Sequence, residues 1–248
     1  MKKFKISIIT VVKNDEKNIE KTIQSVLNQS YKNYEHIVVD GKSNDNTVQI
    51  VKKFRKVKLI SKKDKNLWDA LNTGIKNSKG DIIGVLNSND VYYKDALKIV
   101  NKYFNQNRID FLFGAVQKNR LFYKFEPKKI HYRFNIYPAH SVGFFIKSTK
   151  QKKLGLYNIN YDICSDYDLF YRMIVKNKMK GINTNKNEIL GKFDMNGLSS
   201  KVNIIKFYYQ EVKIRYKNGQ NFLFLAILFI IKILNFLRNK ILKKIFLK

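Results

Sequence analysis

The residues in this chain best suited to chemistry stand at the ends of apolar runs. Ile82, Ile83, Val85 and Leu86 lead straight into Asn87, Ser88, Asn89 and Asp90, a knot of two amides, a hydroxyl and a carboxylate. Asn14 follows the run KISIITVV, Asp40 ends YEHIVVD, and Asp64 follows VKLIS. Short, β-branched, unalternating runs are the pattern of strands buried on both faces of a parallel sheet. Ligands of open α/β sheets bind in the crevice outside the carboxyl ends of such strands. Polar loops after four of them predict a single site, held at one sheet edge and suited to a polar ligand. Other chemistries lack their signatures. There is no G-x-G-x-x-G, no P-loop and no G-x-S-x-G elbow. His36, His131 and His140 are dispersed and, with one cysteine, make no zinc site.

The elements that must position these residues can be read from periodicity. Strands are expected at Lys5–Val12, Tyr34–Asp40, Val57–Ser61 and from Asp81 into the knot. Between them lie helical patterns: Ile19, Ile23, Val26 and Leu27, then Val48, Val51 and Phe54, then Leu67, Leu71 and Ile75. Asn14 or Asp15 is placed to cap the first helix, and Lys79-Gly80 to stop the third. A further helix is expected from Lys94 to about Phe104. Strand and helix alternate four times, which implies a mostly parallel sheet with right-handed crossovers.

With 248 residues, 44% of them hydrophobic, the chain is long and apolar enough to bury a full core. Its net charge of +30 raises a polyanionic partner such as nucleic acid or an anionic membrane. The lysines are spread through the chain, however, and no aromatic-basic recognition motif accompanies them, so no nucleic acid is expected. The lone Cys164 excludes an internal disulfide and fits a reducing compartment. Ile6–Val12 is too short for a signal-peptide core and has no cleavage site after it, so the catalytic part is expected in the cytoplasm.

Five segments in order resemble the family 2 glycosyltransferases of the GT-A fold. They are SIITVVKN from Ser7, the stretch from Ile19 to Thr47, DKNLWDALNTGIKNSKGDIIGVLNSND from Asp64, HSVGFFIK with LGLYN, and SDYDLFYR from Ser165. Together they span roughly residues 4 to 200. The resemblance implies an α/β, Rossmann-like, nucleotide-sugar-binding sheet flanked by helices. It also implies an inverting enzyme similar to those that make bacterial surface polysaccharides. Such an enzyme moves a sugar from a nucleoside diphosphate-sugar to a hydroxyl of a glycan acceptor, with Mg²⁺ or Mn²⁺ offsetting the charge on the leaving diphosphate.

Carried over by position, Thr10, Val12 and Asn14 would line the base pocket, partly through backbone. Asp40 would contact the nucleobase, or else only cap the turn beside Gly41. Asp64, Asp69 and Asn72 match a D-x-G-x-x-D-A-x-N pattern in which Asn66 replaces the usual Gly. Asp69 could equally be a first-turn helix carboxylate. Asn87 and Ser88 would face the donor. The position of the usual metal-binding Asp falls on Asn89, which brings no charge, and Asp90 would take over or merely cap the next helix. Asp166 is the expected general base, with Ser165 standing where the family has Glu, and Asp168 is the weaker candidate. His140 would shape the acceptor side. Asn89 and Ser165 keep open a non-catalytic nucleotide-sugar-binding relative, and the net charge a basic nucleic-acid-binding protein.

Residues 1–200 are expected to form the catalytic domain and 201–248 a helical tail. Phe222–Ile231 carries no polar side chain. Beyond it Lys232, Asn235, Asn239 and Lys243 recur at helical spacing opposite Leu234, Leu237, Ile241 and Ile245. The tail is too short and too charged for a span of about 20 apolar residues. It reads instead as an amphipathic helix lying on the inner face of the cell membrane, its lysines meeting anionic headgroups. A single tilted span is the alternative. This location would bring the enzyme to a lipid-linked acceptor.

Overall fold

The computed structural model describes residues 2–133, 136–195 and 203–246, with side chains of the last helix described as far as Arg238. The expected alternation is present through the first half of the chain. It runs β1 (Ile6–Val12), α1 (Ile19–Leu27), β2 (Tyr34–Asp40), α2 (Thr47–Lys52), β3 (Val57–Ser61), α3 (Leu67–Asn77) and β4 (Ile82–Val85). Then come β5 (Val91–Tyr92), α4 (Ala96–Gln106), β6 (Phe111–Phe113), β7 (Ala115–Gln117), β8 (Leu121–Phe122) and a 3₁₀ turn at Pro127–His131. The second half adds β9 (Phe144–Lys147), α5 (Ser148–Leu154), α6 (Ser165–Tyr171), β10 (Gly181–Asn183), β11 (Ile189–Lys192), α7 (Ile204–Lys217) and α8 (Phe222–Phe246).

The main sheet has the order β10-β6-β9-β4-β1-β2-β3. β1, β2, β3 and β4 are mutually parallel, while β9 enters between β4 and β6 antiparallel to both. Every residue of β1 and β4 is buried, as expected of strands covered by helices on both faces. Helix α3 packs close to β1, because a Cβ on Gly74 would come within 2.3 Å of Ile9 Cγ2. A second sheet, β5-β11-β7-β8, sits beyond the knot and pairs β11 parallel to β7.

Helix α7, grouped with the tail on sequence, is seated on the α/β body. Its Ile214 is fully buried in a cluster with Ile130, Tyr161, Cys164, Tyr167 and Tyr171. Helix α8 is one continuous element. Leu225 is buried and Lys232 turns inward to pair with Glu211 of α7 at 2.5 Å, so this lysine is not on the outer face. The outer face carries Leu223, Ile227, Ile230, Leu234 and Leu237, each 47–70% exposed. Side chains of Asn239, Ile241, Lys243 and Ile245 lie outside the described residues, as does the expected boundary at Ser200.

Candidate active site

Three polar clusters collect at the carboxyl edge of β1, β2, β3 and β4. The first lies after β2 and β3. Asp40 is fully buried; its carboxylate accepts from Ser43 Oγ at 2.5 Å and Ser61 Oγ at 2.7 Å. The bonds from Ser43 are those of a turn cap beside Gly41. Asp64 is different. Both of its buried carboxylate oxygens lack a hydrogen-bond partner, and Lys62 Nζ stands 3.5 Å away. Burial, partly offset by Lys62, raises its pKa. A buried acceptor left unmatched is costly unless a ligand supplies the donor. Asn14 has a left-handed backbone (φ 52°), and its Oδ1 accepts from Asn44 N at 2.8 Å, so it ties the β1 and β2 loops together. Thr10 and Val12 are not brought to the pocket by their side chains. Strand alternation turns Thr10 inward, where its hydroxyl meets His36 Nε2 at 2.9 Å, and Val12 packs with Ile19, Ile23 and Val51.

Asn66 explains the departure from glycine at its position. It caps α3, its side chain accepting from the N–H groups of Trp68 and Asp69, while Asp69 Oδ2 accepts from Lys65 N. Asn66 is thus a side-chain N-cap, and Asp69 reaches back one residue further, to the N–H that precedes the cap. Asn72 uses both ends of its amide on the backbone of Tyr157, donating to the carbonyl and accepting from the N–H, each at 2.9 Å. It thereby fixes the segment that leads to α6.

The second cluster is the knot itself. Asn89 has φ 79°, and its N–H donates to Thr22 Oγ1 at 3.0 Å. The Ser88 N–H donates to Val11 O. Asp90 is buried, accepting from Ser141 Oγ at 2.5 Å and from the Asp194 N–H at 2.8 Å. Ser141 Oγ also accepts from Asn87 N at 2.8 Å, so one hydroxyl ties both ends of the knot. Ser141 sits in a strained bend: Val142, buried and β-branched, has φ 69°.

Asp194 is the residue that sequence reasoning missed. It follows β11 and accepts a hydrogen bond from Asn89 Nδ2. Two carboxylates and one amide therefore meet where sequence gave a single carboxylate. Burial pushes Asp90 up to about 7; Asp194 adds to the rise, while Ser141, the Asp194 N–H and Lys118 pull it down. Among the described residues no three acidic, His or Cys side chains converge. Yet two carboxylates with an amide, beside the buried and unpartnered Asn87 Oδ1, suit a hard cation that completes its shell with phosphate and water. The set fits Mg²⁺ or Mn²⁺.

The third cluster holds Asp166, at the N-terminus of α6. Its Oδ2 accepts from Tyr137 Oη at 3.0 Å and its Oδ1 from the Tyr167 N–H at 2.8 Å. Burial raises its pKa to about 6 against the opposing pull of these two donors. That is where a general base works best near neutral pH. Asp168 is committed elsewhere, to Arg172 Nε at 2.9 Å. His140 donates to or accepts from Tyr157 Oη at 2.7 Å and packs edge-on to Trp68; burial lowers its pKa to about 3, which keeps it neutral. Ser165 is fully buried with its Oγ unpartnered.

Known proteins match this architecture. The family model described as glycosyl transferase family 2 matches residues 7–178. An uncharacterized glycosyltransferase of Rickettsia typhi is 30% identical over 185 residues, 68% of this chain and 58% of its own length. The chain thus spans little more than half of that relative. The Escherichia coli UDP-Glc:alpha-D-GlcNAc-diphosphoundecaprenol beta-1,3-glucosyltransferase WfgD is 28% identical, over 89% of this chain and all of its own. The Staphylococcus aureus TarS fragment solved with UDP has a TM-score of 0.68 at 17% identity, covering 85% of this chain and 64% of its own. The Pyrobaculum calidifontis mannosyltransferase PcManGT, solved with GDP-Man and Mn²⁺, has a TM-score of 0.69 at 15% identity, covering 89% and 66%. With its GT-A sheet and strand-edge carboxylates, the chain belongs to glycosyl transferase family 2.

Proposed function

We propose that this chain is an inverting glycosyltransferase that moves a sugar from a nucleoside diphosphate-sugar to a hydroxyl of a lipid-linked glycan, with Asp166 as its base. The observation that carries the reading is the Asp166 carboxylate, poised at about 6 by burial and oriented by Tyr137 and the Tyr167 N–H. The acceptor hydroxyl gives its proton to Asp166 as its oxygen bonds to the anomeric carbon. The bond from that carbon to the diphosphate oxygen breaks on the opposite side, and the diphosphate leaves with the electron pair. A displacement from one face inverts the anomeric centre.

On the donor side, the Asp64 carboxylate, ion-paired with Lys62 but without a hydrogen-bond donor, would accept from the nucleoside, beside the loops tied by Asn14 and Asp40. Asn87 and Ser88 would face the diphosphate, and Asp69 and Asn72 hold the wall behind it. Asp90, Asp194 and Asn89 would hold Mg²⁺ or Mn²⁺, which when bound offsets charge on the departing diphosphate. His140, neutral and packed on Trp68, would shape the acceptor side. The presence of Asp194 supports an active enzyme over a merely sugar-nucleotide-binding relative, because it compensates for Asn89.

The acceptor reading rests on WfgD, whose named acceptor is a sugar on diphosphoundecaprenol. It is supported by α8. Among the described residues no helix is long and apolar enough to cross a membrane. An apolar stripe at three- and four-residue spacing on its outer face suits a helix lying in an anionic membrane interface. The enzyme would then act peripherally, on the cytoplasmic face. Replacing Asp166→Asn tests the core of this reading. Transfer should be lost while a UDP- or GDP-sugar still raises the melting temperature; an unchanged transfer rate refutes the assignment.

A further inference from the structure

Helix α7 lies outside the residues matched by the family model, yet it holds the start of the base-bearing helix at two points. Gln210 Oε1 accepts the N–H groups of Ile163 and Cys164, each at 3.2 Å, immediately before Asp166. These are donors at a helix start that has no side-chain cap of its own. One helical turn further on, Arg215 is 1% exposed. Its Nε donates to Tyr167 Oη at 2.7 Å and its Nη1 to the His131 carbonyl at 2.7 Å. Tyr167 in turn donates to the Ile130 carbonyl at 2.5 Å. The planar guanidinium therefore fixes the separation between α6 and the 3₁₀ turn that leads toward Tyr137, the donor to Asp166.

The charge on Arg215 is balanced by Glu211, paired at 2.5 Å and equally buried, and Glu211 is balanced again by Lys232 of α8. An ion pair buried this deeply adds little net stability against an apolar replacement of the same volume. Such a pair instead fixes geometry, since each group has a partner only in one arrangement. We infer that Gln210 and Arg215 are positioning residues for Asp166, and that Lys232 makes the seating of α8 part of the same device. The catalytic unit then extends beyond the matched region to the last helix. This inference rests on Asp166 being the base.

The test uses the full chain with Gln210→Leu, Lys232→Met and Lys232→Arg, the first two chosen because each removes one rung without unpairing Arg215. Backbone amide exchange in Ser165–Tyr171 is measured together with transfer kinetics. The expected result is faster exchange there in Gln210→Leu and Lys232→Met, with kcat lower by about 10- to 100-fold, donor KM within about twofold, and recovery in Lys232→Arg. Wild-type exchange and kcat in both variants would overturn the inference. So would a kcat loss matched by an equal rise in KM and a uniform rise in exchange, which is general destabilisation. If Asp166→Asn transfers sugar at the wild-type rate, the assignment of the base fails, while faster α6 exchange in Gln210→Leu and Lys232→Met still supports the structural coupling.

Discussion

The sharpest consequence of the geometry concerns Tyr137→Phe. The substitution keeps the ring, which stacks on Phe113 at 5.2 Å and meets Phe170 at 4.6 Å, and removes only the hydroxyl that donates to Asp166. That donor favours the ionised carboxylate, so its loss must raise a pKa already near 6. A hydrogen bond to a charged group is worth about 1.5–3 kcal/mol, and each pKa unit is about 1.4 kcal/mol, so the rise is about one to two units. The base works ionised, and activity therefore climbs with pH through the Asp166 pKa. At pH 7 the ionised fraction falls from about nine-tenths to between about a half and a tenth; at pH 9 it is nearly complete in both proteins. The variant should lose roughly two- to tenfold in kcat/KM at pH 7 and regain most of it by pH 9. Profiles are measured in saturating Mn²⁺, which at the proposed site would keep Asp90 ionised. An acidic limb that does not move, or a loss of equal size at every pH, refutes the assignment of Asp166 as the ionising base.

Other perturbations follow from the same clusters. Asn89→Asp restores a charge beside Asp90 and Asp194; the metal-free protein should melt earlier and half-saturate at Mn²⁺ concentrations lower on the order of tenfold. Asp194→Asn should do the reverse, read as a weaker Mn²⁺ effect on thermal stabilisation by donor. Asn72→Ala strands the buried N–H and carbonyl of Tyr157 and should cost about 2–3 kcal/mol in denaturant unfolding. Ile230→Asp with Leu234→Asp should abolish sedimentation with anionic vesicles while leaving transfer to a soluble acceptor intact.

The first half of the fold was legible because its information is local. β-branched runs and fourfold spacing marked β1–β4, and α3 spans Leu67–Asn77 as the periodicity expects. That the loops after β1, β2, β3 and β4 share one sheet edge followed from parallel topology alone. What was hidden depends on distant partners. Asp194 reaches the knot because β11 pairs in parallel with β7, more than 70 positions earlier, and no local pattern announces that pairing. Thr10 and Val12 were expected at the base pocket partly through backbone, and the pleat turns their side chains into the core. Lys232 looks like part of a basic face until the buried Glu211 on another helix claims it.

The position of β9 bears on how the chain folds. β1, α1, β2, α2, β3, α3 and β4 are consecutive in sequence, so they can pair with one another while the rest of the chain is still being made. Until residues 144–147 are made and inserted, however, β4 is an edge strand. Ile82, Ile83 and Val85 then present apolar faces and open backbone groups together, the combination that templates mispairing between chains. β9 is therefore a molecular stopper as well as a strand. A nascent chain stalled before Lys147 should therefore recruit more chaperone, or aggregate more, than one stalled after β9 has emerged.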